Sequence, residues 1–207
     1  MSTGRKVLFV FLVGSIWGML EVLLWDIWHL LNWPHASIVL AIVALLCLAA
    51  GRRVLDSPGS SLAMALVACL YKFASVAFFA CQMTGVLSLA ASFELMAFLT
   101  SKQWGFESKV RPYLLGLLTV YPAFIAFAML STFVIRVPFW AEAGWSRVLP
   151  YLGWGALLAT VGSTFSGAIG WRVGKYLLGA ERALRWRLAV PAAVLIWSVA
   201  ILHASGL

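Results

Sequence analysis

The sequence predicts an all-α, polytopic membrane helix bundle, and three observations lead to that prediction. Of the 207 residues, 63% are hydrophobic, and the mean hydropathy is +0.98, whereas a soluble domain is nearer half apolar. The apolar residues fall into runs that are about as long as a bilayer is thick. Lysine and arginine concentrate in alternate loops, as in multi-pass membrane proteins. We therefore expect one transmembrane domain over residues 1–207.

Seven apolar runs are the expected helices, because a lipid-exposed backbone must satisfy its own hydrogen bonds. The second and the last run are short for a membrane span. We expect a six-helix core, with the last run as a candidate seventh helix near the C-terminus. The runs cover residues 7–28, 36–51, 61–80, 84–100, 113–135, 149–171 and 188–204.

The basic residues predict the orientation of these helices. Twelve lysines and arginines fall on the side of the N-terminus and two, Arg136 and Arg147, fall on the other side, while Lys72 lies inside a helix. This bias predicts a cytoplasmic N-terminus and a multi-pass protein of the cytoplasmic (inner) membrane. The formal charge of +8 is thereby explained by topology, and we expect no nucleic-acid partner.

Potential metal ligands collect in the predicted outer layer. Cys81 closes the third helix there, His29 ends the first, His35 opens the second, and His203 ends the seventh if that helix spans. Thiolate and imidazole are both ligands for soft or borderline transition metals. Asp26 stands one helical turn before His29 and could orient its imidazole.

Two kinds of metal site fit these residues. Zinc would take Cys81 and up to three histidines, because it favours four tetrahedral ligands. A metal already held in the plane of a macrocycle needs only two axial ligands, which a cysteine and a histidine from different helices can supply. Gly85 would let a large ligand approach the backbone beside Cys81, and Phe78 and Phe79 would give a flat apolar wall.

Charged and small residues inside the helices predict contacts between them. We expect Lys72 and Glu94 to pair, because both lie at similar depths on consecutive predicted helices. Gly14 and Gly18 form a GxxxG motif on the first helix, which is typical either of packing within the chain or of an external partner helix. The small residues Gly162, Ser163, Ser166, Gly167 and Gly170 of the sixth helix favour internal packing.

Residues 136–148 form the longest predicted outer segment. Tryptophan at this level usually anchors a protein at the membrane interface, and Trp140 and Trp145 fit that role. The alternative is a lid over an outward-facing pocket, since long loops often carry function.

Several stretches resemble a known family. The predicted topology, the chain length, "GSIWGMLE" (14–21), "SPGSS" (57–61) and the outer "CQMTG" (81–85) are similar to the substrate-binding S-components of energy-coupling-factor vitamin transporters. The thiol at the outer end of the third helix resembles in particular the cobalamin-specific BtuM type. The resemblance covers a six-helix core of residues 5–178, and the basic loop and apolar helix of residues 179–207 depart from it.

The resemblance implies a function and a set of site residues. Cobalamin (vitamin B12) would be captured at the outer face, with Cys81 and His29 as the axial ligands of its cobalt and Gln82 bonded to a corrin side-chain amide. The thiolate would displace an upper ligand such as cyanide. Gly14 and Gly18 would dock on a transmembrane T subunit that two ATPases drive; this chain has no Walker A motif of its own.

Two further hypotheses remain open from the sequence. The chain could be an S-component for another vitamin, with Cys81 as a structural residue. It could also be a membrane metal-binding protein or enzyme that uses Cys81 with His29, His35 and His203. An intramembrane hydrolase is the weakest alternative, because no Ser–His or HExxH arrangement supports it.

Overall fold

The computed structural model of the chain describes residues 2–32, 35–75, 80–104, 108–180 and 189–204, and the side chains of residues 80, 103–104, 179–180, 189–190 and 203–204 lie outside that description. Within these residues the chain is helical and contains no strand. The helices are α1 (Thr3–Leu30), α2 (Ala36–Leu55), α3 (Ser60–Tyr71), α4 (Ala80–Trp104), α5 (Arg111–Met129), α6 (Pro138–Ala141), α7 (Trp145–Pro150), α8 (Ala156–Ala180) and α9 (Ala189–Ala204).

The helix lengths confirm the prediction of an all-α, multi-pass bundle. Among the described residues, five helices are long and apolar enough to cross a membrane, and they begin at Thr3, Ala36, Cys81, Arg111 and Trp145. Two shorter apolar helices, Ser60–Ala74 and Pro191–Leu202, account for the third and seventh runs. Within the described residues each apolar run of the sequence thus contains a helix, including the C-terminal run, whose helix packs against α1.

Helix contacts define two ends of the bundle. Gly14 and Gly18 of α1 pack beside Met64 and Ala68 of α3, so these two helices run in the same direction. The sulfur of Cys69, near the end of α3, lies 4.0 Å from the carbonyl oxygen of Met83, near the start of α4. We call this end, where α1 and α3 finish and α2 and α4 begin, the outer end, and the opposite one the inner end, following the predicted topology.

Glycines on α8 and α5 let the central helices approach closely. A Cβ atom added to Gly170 would overlap the backbone of Leu46 on α2, and one added to Gly116 would overlap the backbone of Ser163 on α8. Such contacts need residues without side chains at the interface. They confirm that the small residues of the sixth predicted helix serve packing inside the chain.

The GxxxG motif of α1 is also used internally. Both of its glycines are buried. A Cβ atom on Gly14 would lie 2.7 Å from the carbonyl oxygen of Met64, and one on Gly18 would lie 2.9 Å from the Cα atom of Ala68. α3 therefore already occupies this face, which corrects the expectation that Gly14 and Gly18 dock a partner subunit.

The boundary between the third and fourth helices differs from the predicted one. After α3 the chain tightens into a 3₁₀ turn at Lys72–Ala74, and Ser75 is extended with φ −74° and ψ 135°. α4 starts at Ala80. Cys81 therefore lies in the first turn of α4, not at the end of α3, because the described backbone has already left the helix at Ser75 and α4 begins at Ala80.

Candidate functional site

The three cysteines differ in exposure, and Cys81 is the accessible one. Its side chain is partly exposed in the first turn of α4, whereas Cys47 and Cys69 are 5% and 7% exposed within the helical core. A buried cysteine behaves as a small hydrophobic residue, whereas an accessible thiol can coordinate or react. Cys81 is thus the thiol of this chain that an external ligand can reach.

The two histidines whose side chains are described lie at the same end of the bundle as Cys81. His29 is exposed in the last turn of α1, and its ring stacks on Trp25 with 6.4 Å between ring centroids and 14° between planes. His35 is exposed just before α2 and has a left-handed backbone, with φ 68°. Both rings are therefore open to a ligand that arrives from the outer end.

Asp26 joins α1 to the segment that follows α3. The Ser75 hydroxyl donates a hydrogen bond of 2.7 Å to Asp26 Oδ1, and the two residues are 9% and 6% exposed. A buried carboxylate needs such a donor, because burying an unpaired charge is costly. Asp26, which the sequence associates with His29, thus also holds two separate parts of the chain together.

A buried ion pair lies deeper in the bundle, between α1 and the start of the 3₁₀ turn that follows α3. Lys72 Nζ is 2.8 Å from Glu21 Oε2, and the two side chains are 1% and 5% exposed. The indole N–H of Trp17 donates to the other carboxylate oxygen of Glu21 at 3.1 Å. The predicted pair between Lys72 and Glu94 is therefore wrong, since Lys72 binds Glu21.

Glu94 instead organises the inner end of the bundle. Its carboxylate accepts hydrogen bonds from Arg52 at 2.8 Å, from the backbone N–H of Gly59 at 2.9 Å and from that of Ser61 at 3.2 Å. The last two groups belong to the start of α3, where free backbone N–H groups attract a carboxylate. Glu94 lies 14 residues after Ala80, about 21 Å along α4, which is far from Lys72.

The other residues predicted to line the ligand site beside Cys81 do not share one environment. Gln82 is partly buried in the first turn of α4. The space beside Gly85 is filled by a ring of α5, because a Cβ atom there would lie 3.5 Å from Phe127 Cδ2. Phe78 and Phe79, the predicted apolar wall, lie outside the described residues.

An aromatic cluster next to Gly85 was not singled out by the sequence. We name it by its four members, Phe124, Phe127, Trp140 and Tyr151. Tyr151 stacks on Phe124 at 4.8 Å and meets Trp140 edge-on at 5.0 Å, and Trp140 meets Phe127 edge-on at 5.2 Å. The cluster joins three separate parts of the chain, so no local pattern announces it; the aromatic spacing of Phe124 and Phe127 is its only sequence signal.

The outer segment between α5 and α8 folds over this aromatic cluster. It contains α6 and α7 and is flanked by π-helical turns at Leu130–Val134 and Tyr151–Gly155. Trp140 is only 7% exposed, so it is a packed residue rather than an interfacial anchor. Arg147 donates to the carbonyl oxygen of Phe139 at 2.8 Å, and its guanidinium carbon lies 3.1 Å from the centre of that ring.

The arrangement of the potential metal ligands distinguishes the two metal hypotheses. Among the described side chains, no three or more residues of the types His, Cys, Asp and Glu are grouped closely enough to hold a metal ion. The side chain of His203 lies outside that description. The described part of the outer end thus offers no three-ligand or four-ligand zinc site, whereas a metal that needs only two protein ligands is not restricted in this way.

Comparisons with known proteins give no match among protein-family models, curated proteins or solved structures. The chemistry of the outer end is therefore the basis on which a function can be assigned.

Proposed function

We propose that this protein is a membrane-embedded binding subunit for the uptake of cobalamin across the cytoplasmic membrane. In this proposal Cys81 and His29 are the axial ligands of the corrin cobalt. The observation that carries the proposal is the contrast in exposure between the cysteines: Cys81 is accessible at the end of the bundle where the His29 ring is exposed, whereas Cys47 and Cys69 are buried.

The chemistry of the two ligands supports a corrinoid rather than a bare ion. Thiolate sulfur and imidazole nitrogen both bind transition metals of intermediate softness. A corrin ring already fills the equatorial positions of its cobalt, so two protein ligands complete the coordination. The loss of the cobalamin's own benzimidazole ligand, which His29 would replace, follows from that arrangement.

The thiolate would also remove an upper ligand from incoming cobalamin. When the sulfur of Cys81 bonds to cobalt, the cobalt–carbon bond of cyanocobalamin breaks and cyanide leaves with its electron pair. The oxidation state of cobalt does not change in this exchange. Binding and loss of the upper ligand would thus be one event at Cys81.

Transport would need partner proteins, because the chain has no nucleotide-binding motif with which to use ATP. The resemblance to S-components suggests a transmembrane T subunit with two ATPases. Docking would use a surface other than Gly14 and Gly18, because α3 covers both glycines.

Binding of hydroxocobalamin to the purified protein in detergent tests the proposal, with the visible absorption spectrum and the dissociation constant as readouts. We expect a coloured complex in the wild type, a changed spectrum in Cys81→Ser and a different change in His29→Ala. His35→Ala and Cys69→Ser are the matched controls, because they remove the same chemical groups at an exposed and a buried position, and we expect both to behave like the wild type.

Two results would contradict the proposal. If Cys81→Ser binds with the wild-type spectrum, Cys81 does not coordinate cobalt and is structural. If the wild type retains no corrinoid, the protein serves another vitamin or metal, and metal content then decides between those alternatives.

Release of cyanide tests the ligand exchange separately. Cyanocobalamin mixed with the wild-type protein should release cyanide in proportion to the bound corrinoid, and Cys81→Ser should release none. Equal release from both proteins would show that the thiol plays no part in the exchange.

A further inference from the structure

The hydrogen bond between Ser75 and Asp26 connects the two segments that carry the proposed ligands. Asp26 precedes His29 by one turn of α1, a rise of about 4.5 Å. Ser75 directly follows the 3₁₀ turn after α3 and precedes Cys81, which lies in the first turn of α4, by six residues. The bond of 2.7 Å thus lies between the last turns of α1 and the residue that follows the 3₁₀ turn.

Ser75 contacts α1 through the hydrogen bond of its side-chain hydroxyl to Asp26. Its backbone is extended, so it has left the helix and is not held by the hydrogen-bond pattern of α3. Its backbone N–H bonds back to Lys72 at 3.2 Å, within its own turn. The side chain of Ser75 therefore adds a contact to α1 at the point where the described backbone leaves the turn.

The ion pair of Lys72 and Glu21 is a second contact between these two segments. It lies five residues deeper on α1 and three residues earlier on the other segment. Lys72 is the first residue of the 3₁₀ turn, so this pair holds the start of the turn against α1. The Asp26–Ser75 bond lies nearer than this pair to the ligand-bearing ends of the two segments.

We infer that Ser75 and Asp26 are positioning residues that set the spacing between His29 and Cys81 for one ligand. This inference rests on the proposed function. The residues do not touch cobalt; they hold the two segments from which the ligands extend. Groups that hydrogen-bond metal ligands directly typically change metal affinity by about 10–100-fold when they are replaced, and this range sets the scale of the effect expected here.

A matched pair of variants isolates the hydroxyl of Ser75. Ser75→Thr keeps the hydroxyl and Ser75→Val removes it, and the two side chains have nearly the same shape and suit extended backbone equally. The probe is hydroxocobalamin, and the readouts are the dissociation constant, the visible spectrum and the unfolding temperature without ligand.

We expect Ser75→Thr to match the wild type in affinity and spectrum. Ser75→Val should bind about 10–100-fold more weakly, and its spectrum should shift toward that of His29→Ala while the contribution of Cys81 remains. A role in stability alone would lower the unfolding temperature of Ser75→Val and leave its affinity and spectrum equal to those of Ser75→Thr; that result would overturn the inference.

Failure of the inference and failure of the proposed function are distinguishable. If the wild type binds no corrinoid, the proposed function and the positioning role are both wrong. If the wild type binds and the Thr and Val variants bind with equal affinity and the same spectrum, only the positioning role is wrong. If the valine variant does not fold, Ser75→Ala is compared with the wild type by the same readouts and judged by the same two outcomes.

Discussion

The outer and the inner end of the bundle both contain buried charges, but they use them differently. At the inner end, Arg52 binds Glu94, and Arg53 and Arg111 lie over the Trp171 ring with guanidinium carbons 5.3 Å and 5.4 Å from its centre. These three arginines are 5%, 6% and 0% exposed, in the order 52, 53, 111. The inner end is therefore closed by contacts within the chain.

At the outer end the buried charges lie beneath exposed reactive groups. Asp26 and the Lys72–Glu21 pair are buried, while the rings of His29 and His35 and part of Cys81 are open. Buried charge occurs at both ends, so buried charge alone does not mark a site in this protein. In the proposed function, the site is marked instead by potential metal ligands that the fold leaves accessible.

Thiol labelling should show the largest predicted difference, which is between the accessible Cys81 and the two buried cysteines. A membrane-impermeant maleimide added outside intact cells should label Cys81 and leave Cys47 and Cys69 unlabelled, because only the first is accessible. Cys81→Ser should abolish labelling, and the double variant Cys47→Ser/Cys69→Ser should label like the wild type. Labelling of Cys81 only after the membrane is permeabilised would contradict the predicted orientation.

Removal of Lys72 should cause the largest loss of stability. Lys72→Met leaves the Glu21 carboxylate buried without its cation, which typically costs about 3–5 kcal/mol. The double variant Lys72→Met/Glu21→Leu should recover most of that loss, because no buried charge then remains. Denaturant unfolding in detergent measures both, and a double variant no more stable than Lys72→Met would show that the pair is not the reason for the loss.

Removal of Glu94 tests the inner end in the same way. Glu94→Ala takes a partner from Arg52 and two hydrogen bonds from the start of α3, and we expect a loss of about 2–3 kcal/mol in the free energy of unfolding. Corrin binding should stay within about twofold of the wild type, a change of only about 0.4 kcal/mol, because this end does not carry the ligands. Glu142→Ala, on the exposed outer segment, is the control and should change neither quantity.

The smallest predicted effect concerns close packing of the central helices. Gly170→Ala would push a methyl group into the backbone of α2 at Leu46, and overpacking of this kind costs about 1–3 kcal/mol. Gly153→Ala is the control, because no atom lies within 4 Å of the added carbon. Equal unfolding free energies for the two variants would mean that α2 and α8 move apart without cost.

The sequence predicted most of the fold, because bilayer-length apolar runs and the loop charges depend only on composition along the chain. It missed the boundary at Ser75, since an apolar run from Ser61 to Ala80 shows no break where the backbone leaves the helix. The predicted Lys72–Glu94 pair failed for the same reason: depth was counted from helix ends that lie elsewhere. Which faces meet, as for Glu94 with Arg52, depends on packing between distant segments.

Among the candidate site residues, the sequence identified those with distinctive chemistry. Cys81 and His29 follow from residue type and topology, and the structure adds the accessibility of both. The contact of Ser75 with Asp26 and the aromatic cluster were not predictable, because serine and aromatic residues are common in membrane helices and only the tertiary arrangement shows what they touch.

X-ray absorption at the cobalt edge of the purified, cobalamin-loaded protein is the decisive test of Cys81–cobalt coordination, because it reports the atoms bound to the metal. The proposal predicts a sulfur neighbour of cobalt in the wild type and its loss in Cys81→Ser. A bound corrinoid whose cobalt has only nitrogen, carbon or oxygen neighbours in both proteins would contradict it.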